Sequence, residues 1–174
     1  MSSNCGCGCS CGGERDNETH KCPVCGKAAI AVTIPLVSNM LKPEKKDELV
    51  KDDKYFLCMD SECPVSYFSS KGKPIFKTED LKVPLWYKKS ATKRIACYCN
   101  NITFEQVREQ VVVGKKSWKE IVGAYRKKPI CKCNMLNPAG DCCTSVFYDI
   151  VNKTLKETGK EPVSQEFIDK SGCC

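Results

Sequence analysis

The chain has 174 residues, a formal net charge of +7, 16 cysteines and a single histidine, His20. This length accommodates one ordinary domain or two small ones. A single histidine excludes histidine-rich metal sites and nearly all histidine-based catalysis. The sequence contains no base–nucleophile pair, phosphate loop or legible substrate pocket, so we expect a protein that is not an enzyme.

The positive charge does not indicate a nucleic-acid partner. The lysines are scattered, for example at Lys42, Lys51, Lys88 and Lys93, and they form no basic helix face interleaved with aromatic residues. We expect them to be solvated surface charges.

We expect a cytoplasmic location without membrane insertion. No stretch approaches the roughly 18 apolar residues that a membrane span requires. Residues 1–4 lead directly into cysteines, without the basic and apolar regions of a signal peptide. Because disulfides belong to oxidising compartments, the cysteine content indicates reduced, metal-binding thiols.

Residues 1–19 are a tail in which cysteines alternate with glycine and serine, at Cys5, Cys7, Cys9 and Cys11. The tail has nothing apolar to form a core, so we expect it to be disordered without a ligand. Thiolates select soft ions such as Cu(I), which makes these cysteines candidate soft-metal ligands. The alternative is a low-complexity tail with incidental cysteines.

Residues 20–90 contain two cysteine pairs with the spacings of structural zinc sites. Cys22 and Cys25 form a Cys-x₂-Cys knuckle followed by glycine, and Cys58 and Cys63 form a Cys-x₄-Cys pair. Four cysteines leave no coordination position open for water, so we expect a structural zinc. His20 could replace one ligand, although a surface or capping role is the better interpretation.

The same region is rich in predicted strands. We expect it to have a thin core that needs stabilisation by a bound metal such as zinc. Strands are predicted at residues 30–34, 55–57, 65–68 and 74–77. Residues 42–54 are polar and predict a short helix or an exposed loop. Residues 81–96 connect to the next module, and Pro84 makes them extended or an edge.

Residues 91–158 contain a second set of cysteines. Cys97-x-Cys99 is separated by 31 cysteine-free residues from a group that begins at Cys131 and ends at Cys143. The Cys-x-Cys spacing is tight for one tetrahedral zinc, whereas two irons need only two sulfurs each. We therefore predict a [2Fe-2S] cluster with the ligands Cys97, Cys99, Cys133 and Cys143, for which Cys131 and Cys142 could substitute.

Helices are predicted between and after these cysteines. Thr103 and Gln106 form a capping box for a helix that ends at Gly114. Ser117 and Glu120 form a second one, for a helix over residues 118–125. A third helix begins at Cys143, with an apolar face at Val146, Phe147, Ile150, Val151 and Leu155. A ligand at Cys143 would lie at the positive end of that helix.

Residues 159–174 form a second tail. Residues 164–169 predict one helical turn, and the sequence closes with Cys173 and Cys174. A vicinal thiol pair cannot easily form an unstrained disulfide with itself but can clamp Cu(I), Hg(II) or As(III). An incidental pair of cysteines is the alternative.

These motifs resemble a known family. The Cys-x-Cys, helix-loop-helix and second cysteine pair are similar to the [2Fe-2S] fold of bacterioferritin-associated ferredoxin (BFD). The Asn-Pro-Ala-Gly loop before Cys142-Cys143, and the Cys-Pro-x-Cys and Cys-x₄-Cys pairs, resemble the N-terminal domain of CopZ-type copper chaperones over about residues 21–155. The resemblance implies that Cys97, Cys99, Cys133 and Cys143 bind a [2Fe-2S] cluster, and that Cys22, Cys25, Cys58 and Cys63 bind zinc.

The expected fold class is α+β. We expect a small strand-rich zinc module, residues 20–90, packed against a helical BFD-like module, residues 91–158, with flexible cysteine-rich termini. CopZ-type chaperones have a further βαββαβ heavy-metal-associated domain with a Met-x-Cys-x-x-Cys site, and too few residues follow the last predicted helix to form one here. We hypothesise that the tail cysteines replace that site.

The leading functional hypothesis is a cytoplasmic iron–sulfur and zinc metallochaperone. It would deliver a soft metal, copper before mercury or arsenic, to a transporter, reductase or regulator, and its cluster could supply an electron for metal reduction. The first alternative is a BFD-like ferredoxin that acts in electron transfer. The second is a colourless structural zinc-ribbon adaptor.

Overall fold

A computed structural model of the protein describes residues 20–171. The predicted soft-metal ligands lie outside the described residues, namely Cys5, Cys7, Cys9, Cys11, Cys173 and Cys174. Within the described part the chain divides into two compact units. The sheet unit comprises residues 20–94 and 134–141, and the helical unit comprises residues 95–133 and 142–171.

The described residues combine strands and helices, as the predicted α+β class requires. The strands are β1 His20–Lys21, β2 Ala28–Val32, β3 Tyr55–Cys58, β4 Val65–Ser69, β5 Ile75–Lys77, β6 Ile95–Cys97 and β7 Ile102–Thr103. The α-helices are α1 Ile34–Met40, α2 Phe104–Val112, α3 Trp118–Gly123, α4 Cys133–Leu136, α5 Thr144–Glu157 and α6 Gln165–Ser171. No helix among the described residues is long and apolar enough to cross a membrane.

The sheet unit is built on five antiparallel strands in the order β1-β2-β3-β4-β5. Sequential strands are neighbours throughout the sheet, and residues 33–54, which include α1, connect β2 to β3. The strands predicted at 55–57, 65–68 and 74–77 are confirmed as β3, β4 and β5. The strand predicted at 30–34 begins and ends two residues earlier, as β2.

The prediction of an extended chain as far as Ile34 was wrong, because α1 begins at that residue. The Thr33 side chain accepts a hydrogen bond from the Leu36 N–H at 3.4 Å and caps the helix. Pro35 lies in the first turn, where its missing N–H costs nothing and its fixed φ suits a helix. A Thr-Ile-Pro sequence therefore marked a helix start that the strand pattern concealed.

Alternation along β3 sends its side chains to two separate cores. Tyr55 and Leu57 join the apolar cluster that contains α1, while Phe56 and Cys58 join a second cluster. Successive residues of a strand point to opposite faces, so this division follows directly from the strand geometry. All residues of β3 and β4 are buried, so both faces of the central sheet are covered.

Residues 134–141 belong to the sheet unit. The Tyr67 hydroxyl donates a hydrogen bond to the Pro138 carbonyl at 2.7 Å, and the Asn39 side-chain amide donates to the Met135 carbonyl at 2.7 Å. Gly140 has φ +72°, and a Cβ there would lie 3.1 Å from the Leu36 side chain. The Asn-Pro-Ala-Gly loop is therefore seated on α1 and β4, and its glycine permits the close approach.

The helical unit confirms the predicted capping boxes. The Gln106 N–H donates to the Thr103 hydroxyl at 3.2 Å, and the Gln106 side chain accepts from the Thr103 N–H at 3.0 Å. Ser117 and Glu120 make the reciprocal pair for α3. Helices α2 and α5 pack together, and their apolar faces form much of the core, to which α3 also contributes. The fully buried members of this core are Val107, Val111, Ile121, Val122, Phe147, Val151 and Leu155.

Asp53 is a buried carboxylate that ties the start of β3 to the end of β4. It accepts hydrogen bonds from the Ser69 hydroxyl, from the Ser70 hydroxyl at 2.5 Å and from the Lys54 N–H at 2.8 Å. Burial raises the pKa of Asp53, but these hydrogen bonds lower it by more, so the pKa lies below its usual value. The ionised form is therefore the one that stabilises the fold.

Asp53→Asn should lower the free energy of unfolding in a pH-dependent way. A carboxylate whose pKa is lower in the folded state stabilises that state above its unfolded pKa of about 3.9, and the stabilisation is lost as the pH falls through the folded pKa. The difference between the wild type and Asp53→Asn should thus be largest above about pH 5 and shrink below it. Urea unfolding at a series of pH values measures it. The exposed neighbour Asp52→Asn is the control, and an Asp53→Asn difference that does not change with pH would contradict the assignment.

Candidate metal centres

Four cysteine sulfurs converge in the sheet unit. Cys22 and Cys25 lie in the turn between β1 and β2, Cys58 ends β3, and Cys63 lies in the loop before β4. All four sulfur atoms lie within 4.8 Å of one another, and no other group of three or more candidate ligands in residues 20–171 does so. The structure thus brings together all four cysteines that the sequence analysis selected for zinc.

The spacing of these sulfurs suits a tetrahedral metal. The Cys22 and Cys63 sulfurs are 3.9 Å apart, and the Cys25 and Cys58 sulfurs are 3.7 Å apart. Four sulfurs at the usual zinc–sulfur distance of about 2.3 Å are separated by about 3.8 Å. The same distances are too long for a disulfide of about 2.05 Å. A closed set of four thiolates suits a structural zinc site.

Local backbone geometry positions the first pair of sulfurs. The Cys22 N–H donates to the Lys27 carbonyl at 2.9 Å, and the Gly26 N–H donates to the Cys22 carbonyl at 2.8 Å. Gly26 has φ +70°, a conformation that L side chains rarely adopt. The glycine that follows the knuckle in the sequence is therefore required by the turn itself.

Asp60 shapes the loop that carries the second pair, and sequence reasoning missed it. One of its carboxylate oxygens accepts from the Glu62 N–H at 2.7 Å and from the Cys63 N–H at 3.0 Å, and the other pairs with Lys27. The hydrogen bond from Lys27 is the largest cause of the lowered pKa of Asp60. An aspartate three residues before a cysteine is an Asx-turn signal that could have identified this role.

Tyr87 and Lys88 hold the same loop from the other side. The Tyr87 hydroxyl donates to the Cys58 carbonyl at 2.7 Å. The Lys88 ammonium donates to the carbonyls of Asp60, Cys63 and Val65 at 2.7, 3.0 and 2.8 Å. Lys88 is only 1% exposed, so its interpretation as a solvated surface lysine was wrong. Burial raises the pKa of Cys58 strongly, and the positive charge of Lys88 acts against this rise.

The helical unit brings a second set of thiols into two close pairs. The Cys99 and Cys133 sulfurs are 3.6 Å apart. A hydrogen bond from the Cys143 side chain is the largest cause that lowers the pKa of Cys97, which lies at about 7 despite burial. Cys97, Cys133 and Cys143 are buried, and Cys99 is half-buried. Two pairs of sulfurs match the demand of two irons for two protein sulfurs each.

Asn100 joins the two halves of this second set, and sequence reasoning missed it too. Its side-chain amide donates to the Cys97 sulfur at 3.3 Å and to the Ile130 carbonyl at 2.8 Å, and its oxygen accepts from the Ile130 N–H at 2.9 Å. Asn101 follows in the left-handed region, with φ 53°, and turns the chain into β7. The asparagine pair after Cys-x-Cys is the signal that could have indicated this hairpin.

Hydrogen-bond donors surround these sulfurs, as an anionic group would require. The Lys132 N–H donates to the Cys99 sulfur at 3.2 Å, and Cys143 stands at the N-cap of α5. The Trp118 indole N–H contributes to the lowered pKa of Cys97, yet it is buried and no acceptor in the described part of the chain meets normal hydrogen-bond geometry. Buried donors of this kind require a partner, so the surroundings fit a group that brings further acceptors.

The alternatives considered in the sequence occupy other environments. Cys131 and Cys142 are half-buried beside the same core, and the Cys142 sulfur lies 3.0 Å from the Thr144 hydroxyl. The close contacts of Cys97 and Cys99 are with Cys143 and Cys133, which favours those two over their neighbours. The His20 ring packs against the Phe56 ring, tilted by 38° with centroids 4.0 Å apart, and is not part of the four-sulfur group.

The fold and the four-thiol site define a class: an α+β protein with a Cys₄ zinc-binding module. Residues 19–82 match the zf_CopZ family, described as a zinc binding domain. The structure is similar to the X-ray structure of the CopZ N-terminal domain of Archaeoglobus fulgidus, with a TM-score of 0.59 and 25% sequence identity, over 83% of this chain and 100% of that chain. A comparison with curated proteins gives no match. The chain therefore contains a CopZ-like zinc-binding module, which confirms the zinc part of the resemblance.

Cys63→Ser, or removal of zinc by a chelator, should unfold the sheet unit. Metal binding contributes about 10–16 kcal/mol in small zinc modules, as much as the whole stability of a typical domain. Hydrogen exchange at the amides of β3 and β4, together with zinc analysis, measures this effect. Cys131→Ser should keep zinc and protection. Sheet amides that stay protected after zinc has been removed would contradict a structural role for the metal.

Proposed function

We propose that this chain is a cytoplasmic, non-enzymatic metallochaperone that contains zinc and a [2Fe-2S] cluster and delivers a soft metal. The observation that carries the proposal is the convergence of four thiols, all within 4.8 Å of one another, in a CopZ-like module. Copper is the first candidate for the delivered metal, and mercury and arsenic are the others, because all three are thiophilic. The recipient would be a metal transporter, reductase or regulator.

The zinc ligands proposed are Cys22, Cys25, Cys58 and Cys63. Their sulfur–sulfur distances of 3.7 and 3.9 Å and the burial of three of the four support this role. The site is closed, so the zinc would hold the sheet unit together and would not exchange with the delivered metal. Lys27 and Asp60 would stabilise the loop conformations from which the thiolates project.

The cluster ligands proposed are Cys97, Cys99, Cys133 and Cys143, in a BFD-like helical unit. The close approach of Cys99 to Cys133 and of Cys97 to Cys143 supports this choice. A bound cluster would supply one-electron chemistry at a potential that depends on burial and on hydrogen bonds to sulfur. Asn100 orients the Cys97 sulfur, and the buried Trp118 indole N–H is a donor available to the site.

Protein purified without oxygen should be coloured and contain two irons and two sulfides per chain, as a Cys₄ [2Fe-2S] site requires. Reduction should produce a paramagnetic resonance signal. Cys97→Ser and Cys133→Ser should each remove most of the iron and the visible absorbance, because each deletes one sulfur of a close pair. Cys142→Ser is the matched control and should keep the cluster. Colourless protein that contains zinc but no iron or sulfide would contradict the proposal.

Delivery of the soft metal is assigned to the tail cysteines, which the described residues do not include. Thiol ligands at both ends of the chain could accept a soft ion and pass it on by ligand exchange, because thiolates are the ligands such ions prefer. This assignment depends on the sequence: Cys5, Cys7, Cys9 and Cys11 alternate in one tail, and Cys173 and Cys174 are adjacent in the other.

A variant with all six tail cysteines replaced by serine should bind Cu(I) at least tenfold more weakly than the wild type, because it loses every thiolate assigned to the soft metal. Titration of the zinc-loaded proteins against a chromophoric Cu(I) chelator measures this ratio. A variant in which Ser2, Ser3 and Ser10 are replaced by alanine leaves the thiols intact and is the control. Equal Cu(I), Hg(II) and As(III) affinities in the wild type and the variant without tail cysteines would contradict delivery by the tails.

A ferredoxin-like electron carrier is the second candidate function. The enclosure of Cys97, Cys133 and Cys143 with the buried Trp118 N–H favours it, because a buried and hydrogen-bonded cluster suits reversible electron transfer. The two functions differ in the role of the tails. If the chain is an electron carrier, its reduction potential and its electron exchange with a reductase should stay unchanged after the tail cysteines are replaced. If the chain is a metallochaperone, the same replacement should abolish metal delivery.

A further inference from the structure

Lys88 is a buried cation whose position the proposed function does not explain. It is 1% exposed, and its ammonium donates to three backbone carbonyls, those of Asp60, Cys63 and Val65. It also lies 5.3 Å from the centre of the Tyr87 ring. Lysines are almost never fully buried unless their charge is paired.

No carboxylate supplies that pairing in the described part of the chain. None of the ion pairs found among residues 20–171 includes Lys88. Carbonyl dipoles satisfy the three N–H donors of the ammonium but leave its net charge unbalanced. A buried charge is costly unless another charge compensates it.

The four thiols provide the missing negative charge when they bind zinc. Two of the three carbonyls that contact Lys88, those of Asp60 and Cys63, belong to the loop that carries Cys58 and Cys63. Zinc bound by four thiolates has a net charge of about −2, on a face of the sheet buried among Phe56 and Phe68. Inside such a core, the attraction between this charge and an ammonium is only weakly screened.

We propose that the Lys88 ammonium is the buried counter-charge of the four-thiolate zinc centre and raises its affinity for zinc. This inference rests on the zinc ligands proposed above. Lys88 is thus a positioning and charge-balancing residue. Its carbonyl contacts hold it in place, and its charge acts on the thiolates.

The first test compares Lys88→Gln with the wild type in the full-length chain. Glutamine keeps a hydrogen-bond donor but removes the charge, and the zinc dissociation constant should rise about 10–100-fold, the usual cost of losing an outer-shell partner. Competition with a chromophoric zinc chelator measures it. Lys88→Arg should retain most of the affinity, because the charge remains. Lys89→Gln is the matched control, since Lys89 is adjacent and its side chain is 69% exposed in a surface ion pair with Glu62; its effect should be small and should disappear in salt.

The second test separates charge from a simple clamp on the loop. Cys25→His converts the site to Cys₃His, a common zinc set, and reduces its net charge from about −2 to about −1. If Lys88 acts through charge, Lys88→Gln should weaken zinc binding by about half as many decades in this background, for example about 10-fold where the parent loses 100-fold. An equal fold-change in both backgrounds would overturn the inference and leave Lys88 as a structural clamp.

The outcome also distinguishes this inference from the proposed function. Wild-type protein that binds no zinc at these cysteines would defeat the zinc assignment itself. Wild-type protein that binds zinc tightly, with Lys88→Gln equal to it in affinity, would defeat only the role of Lys88. Where Lys88→Gln does not fold even when zinc is present, the comparison of Lys88→Arg with the wild type in both ligand backgrounds decides, because a substantial loss with arginine would contradict a role for charge.

Discussion

The convergence of four cysteine sulfurs on one face of a small sheet is the constraint on which the sheet unit depends. The sheet has two separate apolar cores, a larger one with α1 and a smaller one with Phe56 and Phe68. The second core contains Cys22, Cys58 and Cys63 themselves, so its members are also the candidate ligands. Four closely spaced thiolates would repel one another without a cation, and a metal that binds them converts this repulsion into a cross-link between two loops.

Hydrogen bonds from neighbouring side chains hold the loops that carry both sets of cysteines. Asp60 accepts from the N–H of Cys63, Tyr87 donates to the carbonyl of Cys58, and Lys88 contacts the carbonyls on both sides of Cys63. In the helical unit Asn100 has the equivalent role, because it bonds both to the Cys97 sulfur and to the backbone at Ile130. Such outer partners orient metal ligands and adjust their affinity, so a description that ended at the cysteines would omit much of the chemistry.

Much of the local structure was predictable from the sequence because it depends on short-range rules. The capping boxes at Thr103 and Ser117 and the strands β3 to β5 were found where the pattern indicated them. The start of α1 was missed because an apolar run before proline also fits a strand, and only the Thr33 cap distinguishes the two. The single turn of α4, which contains the predicted ligand Cys133, was missed because four residues are too few to show a helical period.

The sequence by itself determined the cysteine spacings, and with them the chemistry of a Cys₄ zinc site. It also determined the helix caps, because both properties depend on residues that are close along the chain. Only the tertiary structure decided which distant thiols meet, such as Cys99 with Cys133, and that Lys88 is buried among carbonyls. Sulfurs more than thirty residues apart are brought together by strand register and helix packing. The burial of a lysine also depends on the packing around it, because the residue type alone does not show whether it faces water or a core.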